Sequence, residues 1–168
     1  SQYNVQHMDM NGNSELAVPQ NTLGAELRQL ENKQWEQITL PHTPFVEPLT
    51  VLHQWQGICY YKKKITITPE EAKKHIWIEF EGAMHLADVW INGKHVMQHA
   101  GGYTPFVVDA TGLLKTGKEN ELLVRLDNRN NSLIPPGKPL ETLDFCYYGG
   151  IYRNVHLIAK ADVHITHP

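Results

Sequence analysis

The chain has 168 residues, 41% of them hydrophobic and 20% charged, and a formal net charge of −3, which suits one domain with a substantial core. This weak charge gives no electrostatic reason to expect nucleic acid as a partner. No run approaches the roughly 20 apolar residues that cross a bilayer, so we expect a soluble chain without a membrane partner.

The N-terminal stretch is polar and lacks the apolar centre of a secretion signal. Within it, residues 25–32 favour a short helix. We expect residues 1–34 to form an extension that packs on a sandwich made by residues 35–168. Because a cleaved signal leaves no trace, the compartment stays open, with a periplasmic or extracellular location slightly favoured over the cytoplasm.

The first predicted strand covers residues 35–40. Pro41 and Pro44 end it, because proline cannot donate a hydrogen bond to a central ladder. Residues 41–57 then read as a long loop, and loops of this length in compact domains are often functional.

Two further strands follow this loop. Residues 59–68 carry β-branched side chains and stop at Pro69, and the lysine run at residues 62–64 indicates a charged edge or solvent face. Residues 73–82 alternate, so one face of this strand should point into the core. That face carries Ile76, Ile78 and Phe80.

A hairpin over residues 86–98 is the clearest local signal, because Asn92-Gly93 suits a two-residue turn between two strands. Strands are also predicted over residues 103–108, 122–127 and 151–159. Residues 128–150 contain prolines, asparagines and paired glycines, which indicate a second long loop. About eight or nine strands with almost no helix are typical of an all-β jelly-roll sandwich.

Cysteine and histidine give no metal or cofactor signal. Cys59 and Cys146 allow at most one disulfide, and two free thiols are favoured although a bridge stays open. Among the ten histidines, His95 and His99 lie about 13 Å apart along a strand, too far to share one ion. We therefore expect neither a metal nor a cofactor.

Four stretches in one order resemble the N-terminal domain of glycoside hydrolase family 2, the family of β-galactosidases and β-glucuronidases. They are WEQITLPHTP at residues 35–44, GICYYKK at 57–63, ADVWING at 87–93 running on to GGYTPF at 101–106, and DFCYYGGIYRNV at 144–155. The resemblance implies a galactose-binding-domain-like jelly roll that precedes an immunoglobulin-like domain and a TIM barrel. It places both catalytic glutamates on the barrel, so we expect no catalytic residue in this chain.

One dipeptide, Asn120-Glu121, is similar to the pair that carries the family's acid/base glutamate. Its setting is a turn that enters a sandwich strand, so we reject a catalytic role for it. Asp144 is the stronger candidate, because the resemblance implies that an aspartate here reaches the terminal sugar. A carboxylate can accept charge-assisted hydrogen bonds from adjacent hydroxyls; the alternative is an aspartate that caps its own turn.

Aromatic and basic residues complete the expected site. Trp55, Tyr147 and Tyr148 lie in or beside the long loops, where exposed rings can stack on sugar or pack against other domains. By the resemblance, Arg153 ties the Asp144 loop to the sandwich, and His42 fixes a loop by hydrogen bonding rather than acting as a catalyst.

The leading hypothesis is a non-catalytic domain of an exo-glycosidase whose partners are a terminal β-linked sugar and the catalytic barrel. Two alternatives stay open. The domain binds carbohydrate independently, or it is a structural domain that supports a homo-oligomer.

Overall fold

The computed structural model describes residues 2–8, 35–44 and 55–164. Within these ranges the chain forms nine strands and two single-turn 3-10 helices, Glu71–Lys73 and Leu140–Thr142. In chain order the strands are β1 (Gln2–Met8), β2 (Glu36–Thr39), β3 (Ile58–Ile65), β4 (His75–Phe80), β5 (Leu86–Ile91), β6 (Lys94–Ala100), β7 (Phe106–Asp109), β8 (Asn120–Asp127) and β9 (Val155–Lys160). The helix predicted for residues 25–32 lies outside the described residues.

The strands form two antiparallel sheets. One has six strands in the order β2-β1-β3-β8-β5-β6, and the other has three in the order β7-β4-β9. Apolar side chains from both sheets enclose one core, as alternation along half-buried strands requires. The prediction of an all-β jelly-roll sandwich is confirmed.

Strand β4 shows how alternation builds this core. Ile76, Ile78 and Phe80 are buried, whereas Trp77 and Glu79 between them are only partly buried. The ring of Phe80 stacks on Phe106 of β7, with centroids 4.6 Å apart. The predicted division of this strand into a core face and a wetter face is therefore present.

Strand β8 lies in the middle of the larger sheet and is buried on both faces. Leu122, Val124 and Leu126 join the main core, as their spacing predicts. The opposite face carries Leu123, Arg125 and Asp127, which are also buried. A second apolar cluster covers part of that face, and it consists of Ile58, Tyr60, Trp90 and Leu123, with Trp35 packed against it.

A buried charge cluster occupies the rest of this second face. The Arg125 guanidinium lies 3.6 Å from an Asp88 carboxylate oxygen and 3.4 Å from one of Asp127. Asp88 also accepts hydrogen bonds from His95 at 3.0 Å and from Gln98 at 2.9 Å. Buried ions persist only when they are paired and hydrogen-bonded, and these contacts meet that condition across β5, β6 and β8.

One strand of the larger sheet was not expected from the sequence. It is β1, which lies between β2 and β3. The lysine run at residues 62–64 was expected at a charged edge or on a solvent face; β3 is an interior strand paired on both sides, which excludes the edge and leaves the solvent face. Its charges are accommodated individually, because Lys62 lies over the Trp35 ring at 4.3 Å and Lys64 pairs with Glu119 at 2.7 Å.

The predicted hairpin turn is present between β5 and β6. Asn92 and Gly93 have φ angles of 52° and 78°, the left-handed conformations that such a turn requires. The Asn92 side chain also donates to Asn120 Oδ1 at 2.9 Å and accepts from the Glu121 amide at 3.1 Å. The turn is therefore tied to the start of β8.

Replacing Arg125 with methionine should destabilise the domain by about 3–5 kcal/mol, because Asp88 would keep a buried charge without its arginine partner and Asp127 would retain only Arg129. The matched control is Lys64→Met, which removes an exposed cation from a surface pair and should have a far smaller effect. Urea unfolding of the three proteins measures the difference. Equal small losses for both variants would contradict the assigned role of Arg125.

Candidate functional site

The two long loops predicted from the sequence meet beside the end of β8. We call residues 41–57 loop A and residues 128–150 loop B; residues 45–54 of loop A lie outside the described part. Loop A joins β2 to β3, and loop B leaves β8 and runs toward β9. The described ends of loop A contact both ends of loop B, so the two loops form one surface.

Asn128 joins the start of loop B to the end of loop A. Its side-chain oxygen accepts from the Gly57 amide at 2.8 Å, and its side-chain nitrogen donates to the Trp55 carbonyl at 3.0 Å. Its backbone amide donates to the Gly57 carbonyl at 3.2 Å, and its carbonyl accepts from Gln56 Nε2 at 3.3 Å. Asn128 is buried, and these bonds satisfy its polar groups as burial requires.

Gly149 closes the same junction from the far end of loop B. A β-carbon at Gly149 would lie 2.6 Å from the Asn128 side-chain nitrogen and 3.2 Å from the Trp55 ring. Trp55 is itself only half-exposed and packs against the main core. The Trp55 ring, which we expected either to stack on sugar or to pack against other domains, thus also lies against Gly57 and Gly149 within this domain.

His42 joins the start of loop A to the end of loop B. Its amide donates to the Ile151 carbonyl at 2.8 Å, and its Nδ1 lies 3.0 Å from the Tyr61 hydroxyl. Burial raises the pKa of Tyr61, so the phenol stays neutral. Gly150, at φ 91°, lies so close that a β-carbon would be 2.8 Å from the His42 carbonyl oxygen, which supports the loop-fixing role proposed for His42.

An apolar cluster holds the middle of loop B against the sandwich. Its buried members are Met84, Leu140, Leu143 and Tyr147, with Tyr152 packed against them. The Met84 amide also donates to the Gly150 carbonyl at 2.9 Å. The cluster therefore attaches loop B to the segment that enters β5.

His85 and Tyr147 form the polar centre of this cluster. The Tyr147 hydroxyl is hydrogen-bonded to His85 Nδ1, and the rings meet edge to face with centroids 5.9 Å apart. Burial lowers the pKa of His85 to about 4 and raises that of Tyr147. Both groups are therefore neutral over the physiological pH range.

Asp144 lies at the exposed crest of loop B. The residue before it, Leu143, is buried, and Tyr147 three residues later is only 4% exposed. Asp144 and Cys146 between these anchors are exposed, and Phe145 is 42% exposed. The Asp144 carboxylate is thus open to solvent on a backbone that is fixed on both sides.

The remaining predicted residues differ in position and burial. Tyr148 is half-buried next to Tyr147, whose ring was expected to be exposed but is buried. Arg153 is exposed, with its guanidinium 5.9 Å from the Tyr152 ring centroid. Asn120 is buried at the start of β8, where its side chain bonds the Lys115 backbone, far from a catalytic arrangement.

A small cleft lies beneath loop B rather than beside Asp144. Its cavity volume is about 10 Å³, which is about the space that one water molecule needs and far below the range of small-molecule sites. Its walls include Gln56, His85, Asn130, Leu140 and Tyr147. The cleft is a packing gap between the loop and the sandwich.

Sequence analysis does not identify Asn128 or His85 as site residues. The signal for Asn128 was its position, directly after a strongly alternating strand and at the start of a long loop, where an amide can satisfy backbone groups. His85 gave no local signal, because its partner is distant in sequence. Its role appears only when loop B folds over it.

Both cysteines are free; Cys59 is buried and Cys146 is exposed. Among residues 35–44 and 55–164, no group of three histidine, cysteine or acidic side chains could hold a metal ion. No helix in the described part of the chain is long and apolar enough to span a membrane.

Comparisons with known proteins match this domain. The family model "Glycosyl hydrolases family 2, sugar binding domain" matches residues 6–161. A β-galactosidase of Thermoanaerobacter pseudethanolicus is 34% identical over 153 residues, 89% of this chain and 20% of that protein. A β-glucuronidase of Bacteroides fragilis is 38% identical over 135 residues, 77% of this chain and 18% of that protein.

Solved structures agree with this match. A crystal structure of Bacteroides uniformis β-glucuronidase superposes with a TM-score of 0.69 at 26% identity, covering 96% of this chain and 17% of that chain. The chain therefore spans about a fifth of the length of the relatives described above.

Replacing Asn128 with alanine should lower the free energy of unfolding by about 2–3 kcal/mol, because the Gly57 amide and the Trp55 carbonyl would lose buried partners. The control is Asn131→Ala, which removes only an exposed bond to the Leu133 amide. Denaturant unfolding compares both variants with wild type. A loss no larger than that of Asn131→Ala would contradict the junction role.

Stability should also depend on pH through His85. Its folded-state pKa of about 4 lies below the ordinary value of 6.5, so between these values the unfolded chain binds a proton that the folded chain does not. Stability is therefore lost as the pH falls through this window, by up to about 3 kcal/mol. Below pH 4 this contribution changes no further.

Unfolding of wild type and His85→Asn between pH 7 and pH 4 measures this contribution. Wild type should lose more stability than the variant over the window. The pKa values of His99 and Asp127 are also lowered, but both groups are common to the two proteins. Parallel pH curves would show that His85 is not buried in its neutral form.

Proposed function

Because the chain belongs to glycoside hydrolase family 2, as the family's non-catalytic N-terminal sugar-binding domain, we propose that it presents Asp144 to the terminal sugar in the active site of a longer exo-glycosidase. The observation that carries this proposal is the exposed Asp144 between the buried Leu143 and Tyr147. An exposed charge on an anchored backbone is suited to a ligand that approaches from outside the domain.

The carboxylate supplies the chemistry of recognition. Its two oxygens accept hydrogen bonds from adjacent sugar hydroxyls, and bonds to a charged acceptor are stronger than neutral ones. Because Asp144 is held before binding, less conformational freedom is lost when the sugar arrives. Tyr148, half-buried four residues later, provides the neighbouring aromatic edge.

The other predicted residues support this carboxylate from below. Tyr147 anchors loop B in the apolar cluster, and the Trp55 ring lies against Gly149 of the same loop. His42 bonds the Ile151 carbonyl, directly after loop B. Arg153 is placed just after loop B, beside the Tyr152 ring. We propose that these residues set the shape of the sugar site and that Asp144 makes the polar contact.

Bond cleavage belongs to the rest of the protein. A retaining glycosidase needs a proton donor and a nucleophile about 5 Å apart across the scissile bond, and the family resemblance implies that both lie on a separate barrel. The relatives carry the names β-galactosidase and β-glucuronidase, so the proposed substrate is a terminal β-linked sugar. We expect the domain alone to be inactive on chromogenic galactosides and glucuronides.

Replacing Asp144 with alanine in the complete enzyme should lower kcat/KM by at least about 100-fold, because two charge-assisted hydrogen bonds to the sugar are lost. The matched control is Glu141→Ala, which removes another exposed carboxylate from loop B. Steady-state kinetics on the preferred chromogenic glycoside measures both. Near-normal activity of Asp144→Ala would overturn the assignment.

Titration calorimetry on the domain alone separates this function from independent carbohydrate binding. With galactose, glucuronic acid and oligosaccharides we expect no measurable heat of binding, because one carboxylate without the barrel's partners provides little affinity. Binding at millimolar affinity or tighter would favour an independent carbohydrate-binding module.

A further inference from the structure

We infer that the hydrogen bond between Tyr147 and His85 positions Asp144 for sugar binding; this inference rests on the proposed function. Tyr147 and His85 are buried and act through Asp144 rather than by touching the sugar. The pair thus determines the position of the Asp144 carboxylate.

First, the exposed crest around Asp144 is a short segment between two buried anchors. Only Asp144, Phe145 and Cys146 lie between the buried side chains of Leu143 and Tyr147. The four residue steps from Leu143 to Tyr147 span at most about 14 Å when fully extended, so the two anchors limit where the Asp144 backbone can lie. If either Leu143 or Tyr147 left its buried position, the Asp144 backbone would be fixed on one side only.

The second step is the rigidity of the group that holds Tyr147. The His85 amide donates to the Asp127 carbonyl at 3.3 Å, and the His85 carbonyl accepts from the Gly101 amide at 2.9 Å. These bonds fix His85 to the end of β8 on one side and to the segment after β6 on the other. The Tyr147 hydroxyl therefore attaches loop B to the sheet itself.

The third step is the chemistry of the bond. His85 is only 3% exposed and Tyr147 only 4%, and burial keeps the imidazole and the phenol neutral. The bond is directional, whereas the surrounding contacts of Leu140 and Leu143 are apolar and tolerate sliding. A directional bond can select one position of the loop among several that pack equally well.

The experiment is a double-mutant cycle in the complete enzyme. Kinetics on a chromogenic glycoside is measured for Tyr147→Phe, for Asp144→Ala and for both together. Tyr147→Phe keeps the ring and removes only the hydroxyl. It should lower kcat/KM by about 10-fold or more, because small misplacements of a binding group are costly. In the Asp144→Ala background the same change should have an effect below about twofold.

Tyr152→Phe is the matched control, because it removes a tyrosine hydroxyl from the same cluster, where it donates to the Gly102 carbonyl. Its effect on kcat/KM should be the same in both backgrounds. His85→Asn, which keeps a polar group near the hydroxyl, should retain more activity than His85→Ala. If Tyr147→Phe fails to fold, the two His85 variants in both Asp144 backgrounds make the same comparison.

The outcomes distinguish the positioning role of Tyr147 and His85 from the proposed sugar contact of Asp144. If Asp144→Ala is impaired but Tyr147→Phe stays within twofold of wild type, the positioning inference fails and the proposed function stands. If Tyr147→Phe lowers kcat/KM equally with and without Asp144, the pair acts independently of Asp144 and the inference also fails. If Asp144→Ala is near normal, the proposed function fails and the inference fails with it.

Discussion

The buried amide of Asn128 is the contact on which the rest of the site depends. Through its backbone and side chain it fixes Trp55, Gln56 and Gly57 at the point where loop B begins. A buried amide with every polar group engaged has one favourable position, because any shift leaves a donor or acceptor without a partner. The end of loop A and the start of loop B are therefore held together.

Asp127, the residue before Asn128, links this junction to His85. Burial alone would raise the pKa of Asp127, but hydrogen bonds from Arg129 and the charges of Arg125 and Arg129 outweigh it and hold the pKa low. The Asp127 carboxylate thus ties the end of β8 to Arg129 at the start of loop B, and the Asp127 carbonyl accepts from the His85 amide. Asp127 therefore connects the buried charge cluster of Arg125 and Asp88 to His85, which holds loop B through Tyr147.

The sequence predicts the local parts of this structure well. The turn at Asn92-Gly93 and the core face of β4 depend on short-range conformation and alternation, which a single sequence displays. Strand β1 was missed, because its polar alternation is weak. Asp144 was identified only through family resemblance, and the bond from Tyr147 to His85 joins residues 62 positions apart, so no local pattern indicates it.

The order of the chain has a consequence for how this site comes into being. Ile151 donates to the Tyr61 hydroxyl across 90 residues, and Gly57 donates to Asn128 across 71. Contacts of such long sequence separation form late, because the intervening chain must be ordered first. During synthesis the surface formed by loop A and loop B can therefore be completed only after residue 151 has joined the chain.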